Sequence, residues 1–188
     1  MAMCRYLVAD GRHCSEEAGE HDLCRWHDPH ANHQDPHTAR ELEHYIQQGG
    51  LCHGLQLARA NLAGLNLVKK GAPQGFLLEQ CNLYRANLQG AHLYGIRIKG
   101  GSLMKADLSE ANLHCATLDD VNLLGIRWHN TRLDNLDTGK RLMQERRGRK
   151  ERDPVQARIW LKEAEETYRD LRKASEAQGI FTMSGRYI

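Results

Sequence analysis

The sequence of 188 residues predicts a mainly β fold, a solenoid flanked by a small cysteine-containing module and by terminal α-helices. Three observations lead to this prediction. An apolar residue recurs at every fifth position through the middle of the chain. Three cysteines at ten-residue intervals, followed by a histidine, lie near the amino terminus, and patterns with helical spacing lie on both sides of the repeats. We therefore divide the chain into four segments: residues 1–34, 35–54, 55–136 and 137–188.

The first segment carries the spacing C-x9-C-x9-C-x2-H, formed by Cys4, Cys14, Cys24 and His27. Three thiolates and one imidazole are a preferred ligand set for tetrahedral zinc. A segment this short and polar has almost no hydrophobic core, so a bound metal gives it a reason to fold. We predict a structural Zn²⁺ site on these four residues, because four protein ligands leave no position for a catalytic water.

Two alternatives stay open for this segment on sequence alone. His13 and His21 lie close enough to the cysteines to be rival ligands. Free cysteines in a disordered tail would show the same spacing. The histidines that follow, His30, His33, His37 and His44, either add metal affinity or pH sensitivity or, as we expect, are solvated residues of a polar linker.

Residues 35–54 predict a short capping helix. Thr38 followed by Glu41 matches a capping box, and Gly49 with Gly50 marks the helix end. One face of this helix is apolar and consists of Ala39, Leu42, Tyr45 and Ile46. Because an open solenoid must protect its ends, we expect this face to cover the first coil.

The third segment is defined by its five-residue period. A period of five fits neither a helix of 3.6 residues per turn nor a strand of period two, and it would move the leucines of a helix around its surface. A square coil with five residues on each side accommodates it, giving 20 residues per coil and stacking at about 4.8 Å. The inward series is Leu78, Leu83, Leu88, Leu93, Ile98, Leu103, Leu108, Leu113, Leu118, Leu123, Trp128 and Leu133.

The units Ala86-Asn87-Leu88, Ala106-Asp107-Leu108 and Ala111-Asn112-Leu113 resemble the A(D/N)LXX signature of pentapeptide-repeat proteins. The resemblance covers roughly residues 55–136 and implies a right-handed quadrilateral β-helix. The amino-terminal spacing is also similar to a three-Cys, one-His module that precedes the repeats in some members of this family. That likeness implies metal ligation by Cys4, Cys14, Cys24 and His27 only.

Two irregularities interrupt the repeat. The step from Leu67 to Leu78 is eleven residues, and residues 68–75 are rich in Gly, Pro and charge. We interpret them as a loop that re-enters the coil one residue out of step, either for binding or as an insertion without a role. Near the end of the series, Trp128 replaces a leucine and Thr131 an alanine, which predicts that the coil degenerates there.

The last segment predicts helices. Asp153 and Pro154 match an N-cap and first helical position, with Gln156 closing a capping box. An apolar face then includes Trp160, Tyr168 and Leu171, for which we predict partner docking or self-association. A lone helical hairpin needs something to cover this face: the coil end, a second copy or further sequence. Residues 181–188 are predicted to begin another helix.

Charge is distributed unevenly. Residues 1–54 have a net charge of −5, residues 55–136 of +3 and residues 137–188 of +4. The basic stretch at residues 139–152 is compatible with a solvated helix, or with a surface that contacts nucleic acid or an anionic membrane. Acids interrupt the stretch and it has no aromatic residue for base stacking, so the solvated helix is favoured.

These features predict a non-enzymatic scaffold that binds a protein partner or a second copy through its carboxy-terminal helices. A DNA-mimic regulator of a type II topoisomerase, and nucleic-acid binding through residues 139–152, are the alternatives. The coil's net charge of +3 argues against an acidic mimic of DNA. We expect a cytoplasmic protein, because the sequence shows neither a signal peptide nor a transmembrane run, with any membrane association arising through a partner or further sequence.

Overall fold

The computed structural model describes residues 2–72 and 74–180. Its elements are α1 (Thr38–Gln47), β1 (Leu77–Glu79), β2 (Arg97–Lys99), β3 (Thr117–Asp119), α2 (Met143–Lys150) and α3 (Pro154–Ala177). The three strands form one parallel sheet in the order β1-β2-β3, with Leu78, Ile98 and Leu118 aligned. Aligned residues 20 positions apart mean that the chain completes one coil between consecutive strands.

The other three sides of each coil are stacked by single parallel bridges with the same step. Asn82 pairs with Ser102, Asn87 with Asp107, and His92 with Asn112. The predicted inward series from Leu78 to Leu133 is at most 8% exposed throughout. The prediction of a mainly β solenoid with a coil of 20 residues is therefore confirmed.

Each corner of the coil needs left-handed backbone. Two residues after every inward residue from Leu78 to Leu133, φ lies between +52° and +67°. Side-chain-bearing residues such as Arg85, Lys105 and Asn130 occupy several of these corners. This conformation costs an ordinary residue about 1–2 kcal/mol, so the stacked coil must hold it in place.

The first coil has a different register. Gln56 pairs with Asn82 and Asn61 with Asn87, a step of 26 residues instead of 20. The slip predicted at residues 68–75 is thus a six-residue insertion within one side of the coil, after which the chain returns to the same columns. Within this loop the Lys69 ammonium lies 5.7 Å from the centre of the Phe76 ring.

The predicted degeneration near residue 130 is wrong. Arg132 pairs with Asn112 and Asp137 with Thr117, so the regular stacking continues to Asp137. Trp128 is 8% exposed, and the Thr131 hydroxyl donates a hydrogen bond to the Leu108 carbonyl at 2.7 Å. The polar side chain is accepted inside the coil because its hydroxyl has a backbone partner.

The predicted apolar face of α1 is buried, but its predicted capping box is wrong. The N-cap is His37, no side chain caps the helix, and Glu41 pairs with Arg25. Asp35 fastens the entry instead, because its carboxylate accepts from the His37 backbone amide at 2.7 Å. The predicted end at Gly49 is correct, since this residue has φ +86° and its amide bonds the Ile46 carbonyl.

Helices α2 and α3 cover the last coil. Arg146 of α2 forms ion pairs with Asp119 and Asp120, and the buried Gln144 amide donates to the Asn122 side chain at 2.8 Å. Gln178, at the end of α3, accepts from the Leu133 backbone amide at 3.1 Å. The end of the coil therefore covers much of the hairpin face that the sequence predicts to need a packing partner. The helix predicted at residues 181–188 lies outside the described residues.

The start of α3 follows the sequence prediction in part. The Asp153 side chain accepts from the Val155 amide at 3.0 Å, and Pro154 occupies the first helical position. The predicted capping-box contact from Gln156 is replaced: the Asp153 backbone amide donates to the side chain of Glu151, which precedes the helix.

Candidate metal centre

The residues predicted as metal ligands come from two local structures. Cys4 and Cys14 lie on the two arms of an antiparallel hairpin whose bridges join Met3 to Glu17 and Leu7 to His13. Residues of alternating burial along the first arm place Cys4 on its inner side. Cys24 and His27 lie on one tight turn, in which the His27 amide bonds the Cys24 carbonyl at 3.0 Å.

The structure brings all four side chains together. Their ligand atoms lie within 4.8 Å of one another, and all four residues are buried. The Cys14 and Cys24 sulfurs are 3.7 Å apart, and Nδ1 of His27 lies 3.2 Å from the Cys24 sulfur and 3.9 Å from the Cys4 sulfur. Zinc–sulfur bonds of about 2.3 Å at tetrahedral angles place ligand atoms about 3.8 Å apart. The cluster therefore has the dimensions of a tetrahedral site.

Neighbouring groups orient the cluster. His27 Nε2 lies 2.9 Å from the His53 carbonyl, which makes this nitrogen the donor and leaves the Nδ1 lone pair facing the sulfurs. The Tyr6 ring stacks on His27 with 4.1 Å between ring centres. The Cys24 backbone amide also donates to the Cys4 sulfur at 3.1 Å. A carbonyl behind a ligating histidine is the usual outer partner in metal sites.

Burial opposes charge on these groups. It raises the pKa of the Cys14 and Cys24 thiols and lowers the pKa of the His27 imidazole. Burial therefore favours the neutral forms of Cys14, Cys24 and His27. A metal ion would deprotonate the thiols and release their protons on binding. Three sulfurs and one imidazole nitrogen at these distances fit Zn²⁺, which would link the hairpin, the turn and the first coil.

The rival histidines lie outside the cluster. His21 Nδ1 pairs with the Asp28 carboxylate at 2.7 Å, and this contact raises the pKa of His21. His13 is exposed, with Nδ1 3.5 Å from the Cys14 carbonyl. Neither ring belongs to the group of ligand atoms within 4.8 Å.

Sequence reasoning missed the aromatic residues around the centre. Tyr6 connects it to the first coil, since its hydroxyl lies 2.7 Å from His53 Nδ1. The expectation that His33 is solvated is wrong, because this residue is buried and Trp26 stacks on it with ring centres 5.4 Å apart. Trp26 also lies 5.6 Å from Tyr45 of α1. Tyr6 lies two residues after Cys4, the spacing that puts both side chains on one face of a strand, and this was the available signal in the sequence. No local pattern pointed to His53, because its contact spans 47 residues.

The residues predicted for partner docking are largely used within the chain. Leu171 is fully buried. Tyr168 is half-buried, and its hydroxyl accepts from the Leu142 amide and donates to Glu145 at 2.7 Å. Trp160 is half-buried, with the Arg147 guanidinium 5.1 Å from its ring centre. Leu171 therefore offers no surface to a partner in this structure.

The basic stretch is likewise engaged in internal contacts. Arg146 binds the coil, Arg147 covers Trp160, and Arg149 pairs with Glu145 at 2.7 Å.

The histidines of the coil lie in different columns: His92 is aligned with Asn112, His114 stacks on Tyr94, and His129 contacts Asn130.

The repeats match the family model for pentapeptide repeats in eight copies, over residues 74–100 and 81–125. The predicted resemblance to the pentapeptide-repeat family is therefore confirmed. The chain is similar to a pentapeptide repeat protein (Rfr23) from the cyanobacterium Cyanothece 51142, with 30% identity over 47% of this chain and 56% of that one, at a TM-score of 0.41.

Two further solved structures are similar to this chain. HetL, a pentapeptide repeat protein involved in heterocyst differentiation regulation in Nostoc, is 31% identical over 43% of this chain and 37% of its own, with a TM-score of 0.23. A pentapeptide repeat protein from the thylakoid lumen of Arabidopsis thaliana is 26% identical over 43% and 59%, with a TM-score of 0.23. The chain thus spans only part of these relatives. No curated protein matches it.

Among residues 2–72 and 74–180, no helix has the length and apolar character needed to cross a bilayer.

Proposed function

We propose that this chain is a non-enzymatic protein-interaction scaffold, in which the coil is a rigid spacer between two chemically different ends. The head, residues 2–34, is a structural zinc module seated on the first coil. The tail hairpin, α2 with α3, covers the last coil and carries the docking surface. The observation that supports this most strongly is the buried ligand set of Cys4, Cys14, Cys24 and His27.

A structural role for the metal follows from the closure of the site. Four protein ligands complete a tetrahedron, so that no coordination position is left for water or substrate. His27 joins the site to the coil through the His53 carbonyl, and Tyr6 does so through the His53 ring. The metal would therefore hold the head on the first coil, where otherwise unpaired backbone groups need covering.

The zinc proposal is tested by metal content and stability. We expect one zinc per chain in the purified protein and none in Cys24→Ser, because a hydroxyl is a poor replacement for a buried thiolate ligand. Chelation should lower the melting temperature of the original protein and abolish the near-ultraviolet signal of Trp26, which is 4% exposed in the head. The measurements are elemental mass spectrometry and circular dichroism.

Cys115→Ser is the matched control, since Cys115 is a half-exposed cysteine on the coil, outside the ligand cluster. It should retain the zinc and the melting temperature. A wild-type protein that purifies folded without metal, and gains no stability when zinc is added, would contradict the proposal.

Partner docking is proposed for the exposed side of the tail hairpin. Leu171 is buried in the core and Tyr168 joins α3 to α2 through Leu142 and Glu145, so these two residues would stabilise the hairpin itself, and Trp160 would border the surface. The exposed apolar residues of α3 next to it are Val155, Ile159 and Leu161.

Topoisomerase regulation and nucleic-acid binding remain the alternatives. Two structural details weaken them: Arg146 is occupied by Asp119 and Asp120, and the coil surface mixes both charges. A gyrase supercoiling assay separates the first alternative from the scaffold. A salt-sensitive mobility shift that disappears when Arg146, Arg147 and Arg149 are neutralised would establish the second.

We place the scaffold in the cytoplasm, a proposal that imaging of a tagged protein would test.

A further inference from the structure

The exposed large apolar side chains of the described residues are confined to the two ends of the molecule. Met3 and Leu7 lie in the head, at 55% and 66% exposure. Val155, Ile159 and Leu161 lie on α3. The coil separates the two groups, since the head pairs with the first coil and the tail hairpin with the last. Each end therefore presents an uncovered apolar surface.

The apolar surface of the head follows from strand alternation. Cys4 and Val8 point inward and are buried, whereas Met3, Arg5 and Leu7 point outward and are exposed. Met3 is paired across the hairpin with Glu17. The outer face of the hairpin is thus an apolar ridge with a carboxylate beside it.

This head is acidic. Residues 2–23 carry five acidic and two basic side chains, and both basic ones are already paired, Arg5 with Asp22 and Arg12 with Asp10 and Glu79. Glu16, Glu17 and Glu20 are exposed and form no ion pair with any residue that the structure describes. The head therefore presents unneutralised carboxylates next to its apolar ridge.

The tail hairpin has the complementary surface. A groove of about 670 Å³ runs between α2 and α3, and its walls include Leu161, Ala164 and Tyr168. Five cations line it against two carboxylates, Glu145 and Glu165. The cations are Lys140, Arg141, Arg149, Arg169 and Arg172.

The ion pairs within this groove leave donors available. Arg169 binds Glu165 through one terminal nitrogen, and Arg172 binds Glu176 through Nε. Both arginines are largely exposed, so these contacts within one helix are weak and easily exchanged. Each guanidinium keeps further N–H groups for a second carboxylate.

We propose that the head of one copy docks into the groove of a second copy, so that the chain assembles head to tail. Met3 and Leu7 would lie against the apolar wall at Leu161, while Glu16, Glu17 and Glu20 would face the groove's arginines. The inference rests on the proposed scaffold function and names its partner as another copy of this chain. Charge complementarity selects this arrangement, because head-to-head contacts place acid against acid and tail-to-tail contacts base against base.

A head-to-tail contact is heterologous, so each added copy leaves one free head and one free groove. Assembly should therefore continue past the dimer. The test is sedimentation velocity over a concentration series at about 50 mM and about 500 mM salt, since exposed charge pairs are screened at the higher value. We expect species larger than a dimer at low salt that shrink at high salt.

Charge reversal at each end gives the decisive comparison. Glu16→Lys with Glu17→Lys removes the head surface, and Arg169→Glu with Arg172→Glu removes the groove surface. Each variant alone should weaken association about tenfold or more. Their equimolar mixture should associate again beyond the dimer, because the intact acidic head pairs with the intact basic groove and the reversed, basic head pairs with the reversed, acidic groove. Arg158→Glu with Lys173→Glu, exposed on α3 but outside the groove, should behave like the wild type.

A wild type that stays monomeric, a mixture that does not associate, or dimers that survive the head variant would overturn the inference. If a charge reversal impairs folding, Met3→Ser with Leu7→Ser replaces it, and unchanged association of that variant would overturn the inference as well. Zinc is measured in the same samples. A monomer that holds zinc contradicts only head-to-tail assembly, whereas a protein without zinc contradicts the metal-capped scaffold itself.

Discussion

At the scale of single residues, Gly101 is the position where the coil leaves least room. Its φ is +76°, and a Cβ there would overlap the Cys81 carbonyl and come within 2.7 Å of the Cys81 nitrogen. Both are backbone atoms of the neighbouring coil, so they cannot rotate away. We predict that Gly101→Ala lowers the free energy of unfolding by at least about 2 kcal/mol more than the same substitution at a left-handed glycine whose new Cβ meets no neighbour.

Gly90→Ala is the matched comparison. Gly90 has a similar φ of +63°, but a Cβ there meets nothing within 4 Å. This variant should lose only about 1 kcal/mol, the cost of left-handed backbone. Urea unfolding of both variants gives the comparison, and equal losses would show that coil spacing at Gly101 relaxes freely.

At the scale of elements, Glu145 joins α2 to α3. Burial disfavours its charge, but hydrogen bonds from Tyr168 and Arg149 outweigh burial and lower its pKa. A lowered pKa stabilises the folded state above the unfolded value of about 4.3, and this stabilisation is lost as pH falls through the folded pKa. We predict that Glu145→Gln lowers the free energy of unfolding by about 1 kcal/mol at pH 7, and that the difference vanishes in acid.

Glu163 on α3 should show the opposite sign. Burial, and then the neighbouring Glu166, raise its pKa, so its ionised form disfavours folding at pH 7. Glu163→Gln should therefore leave stability unchanged or raise it. Denaturant unfolding between about pH 3 and about pH 7 tests both variants. Parallel pH profiles for the two would contradict the assignment.

The elements also show where local sequence signals succeed. The N-cap at Asp153 and the end of α1 at Gly49 were predictable because both devices lie within a few residues. The cap at Thr38 was not, because Glu41 is drawn to Arg25, 16 residues away. The ligand cluster was readable from spacing, whereas its outer partner His53 comes from the first coil and left no local trace.

At the scale of the whole molecule, the five-residue period carried almost all the information about the coil. It fixed which residues face inward, because any other assignment would leave leucines in water. It did not distinguish a one-residue slip from the six-residue insertion after Leu67, since both shift the period equally. Trp128 and Thr131 broke the pattern without breaking the coil, because register depends on backbone pairing as well as on side-chain identity.

We predict that the coil tolerates removal of a complete turn, because consecutive coils share one register of 20 residues. Deleting residues 98–117 joins Arg97 to Leu118, so that β3 takes the register position of β2 and every inward column is preserved. The shortened chain should fold cooperatively, keep its zinc and its α2 contacts to Asp119, and melt at a lower temperature, because one stacking interface is lost. Deleting residues 98–116 instead removes one residue fewer than a full coil, so every later leucine is moved out of its inward column. That variant should fail to fold, as judged by circular dichroism and melting, and a cooperative transition in it would show that stacking does not depend on the five-residue register.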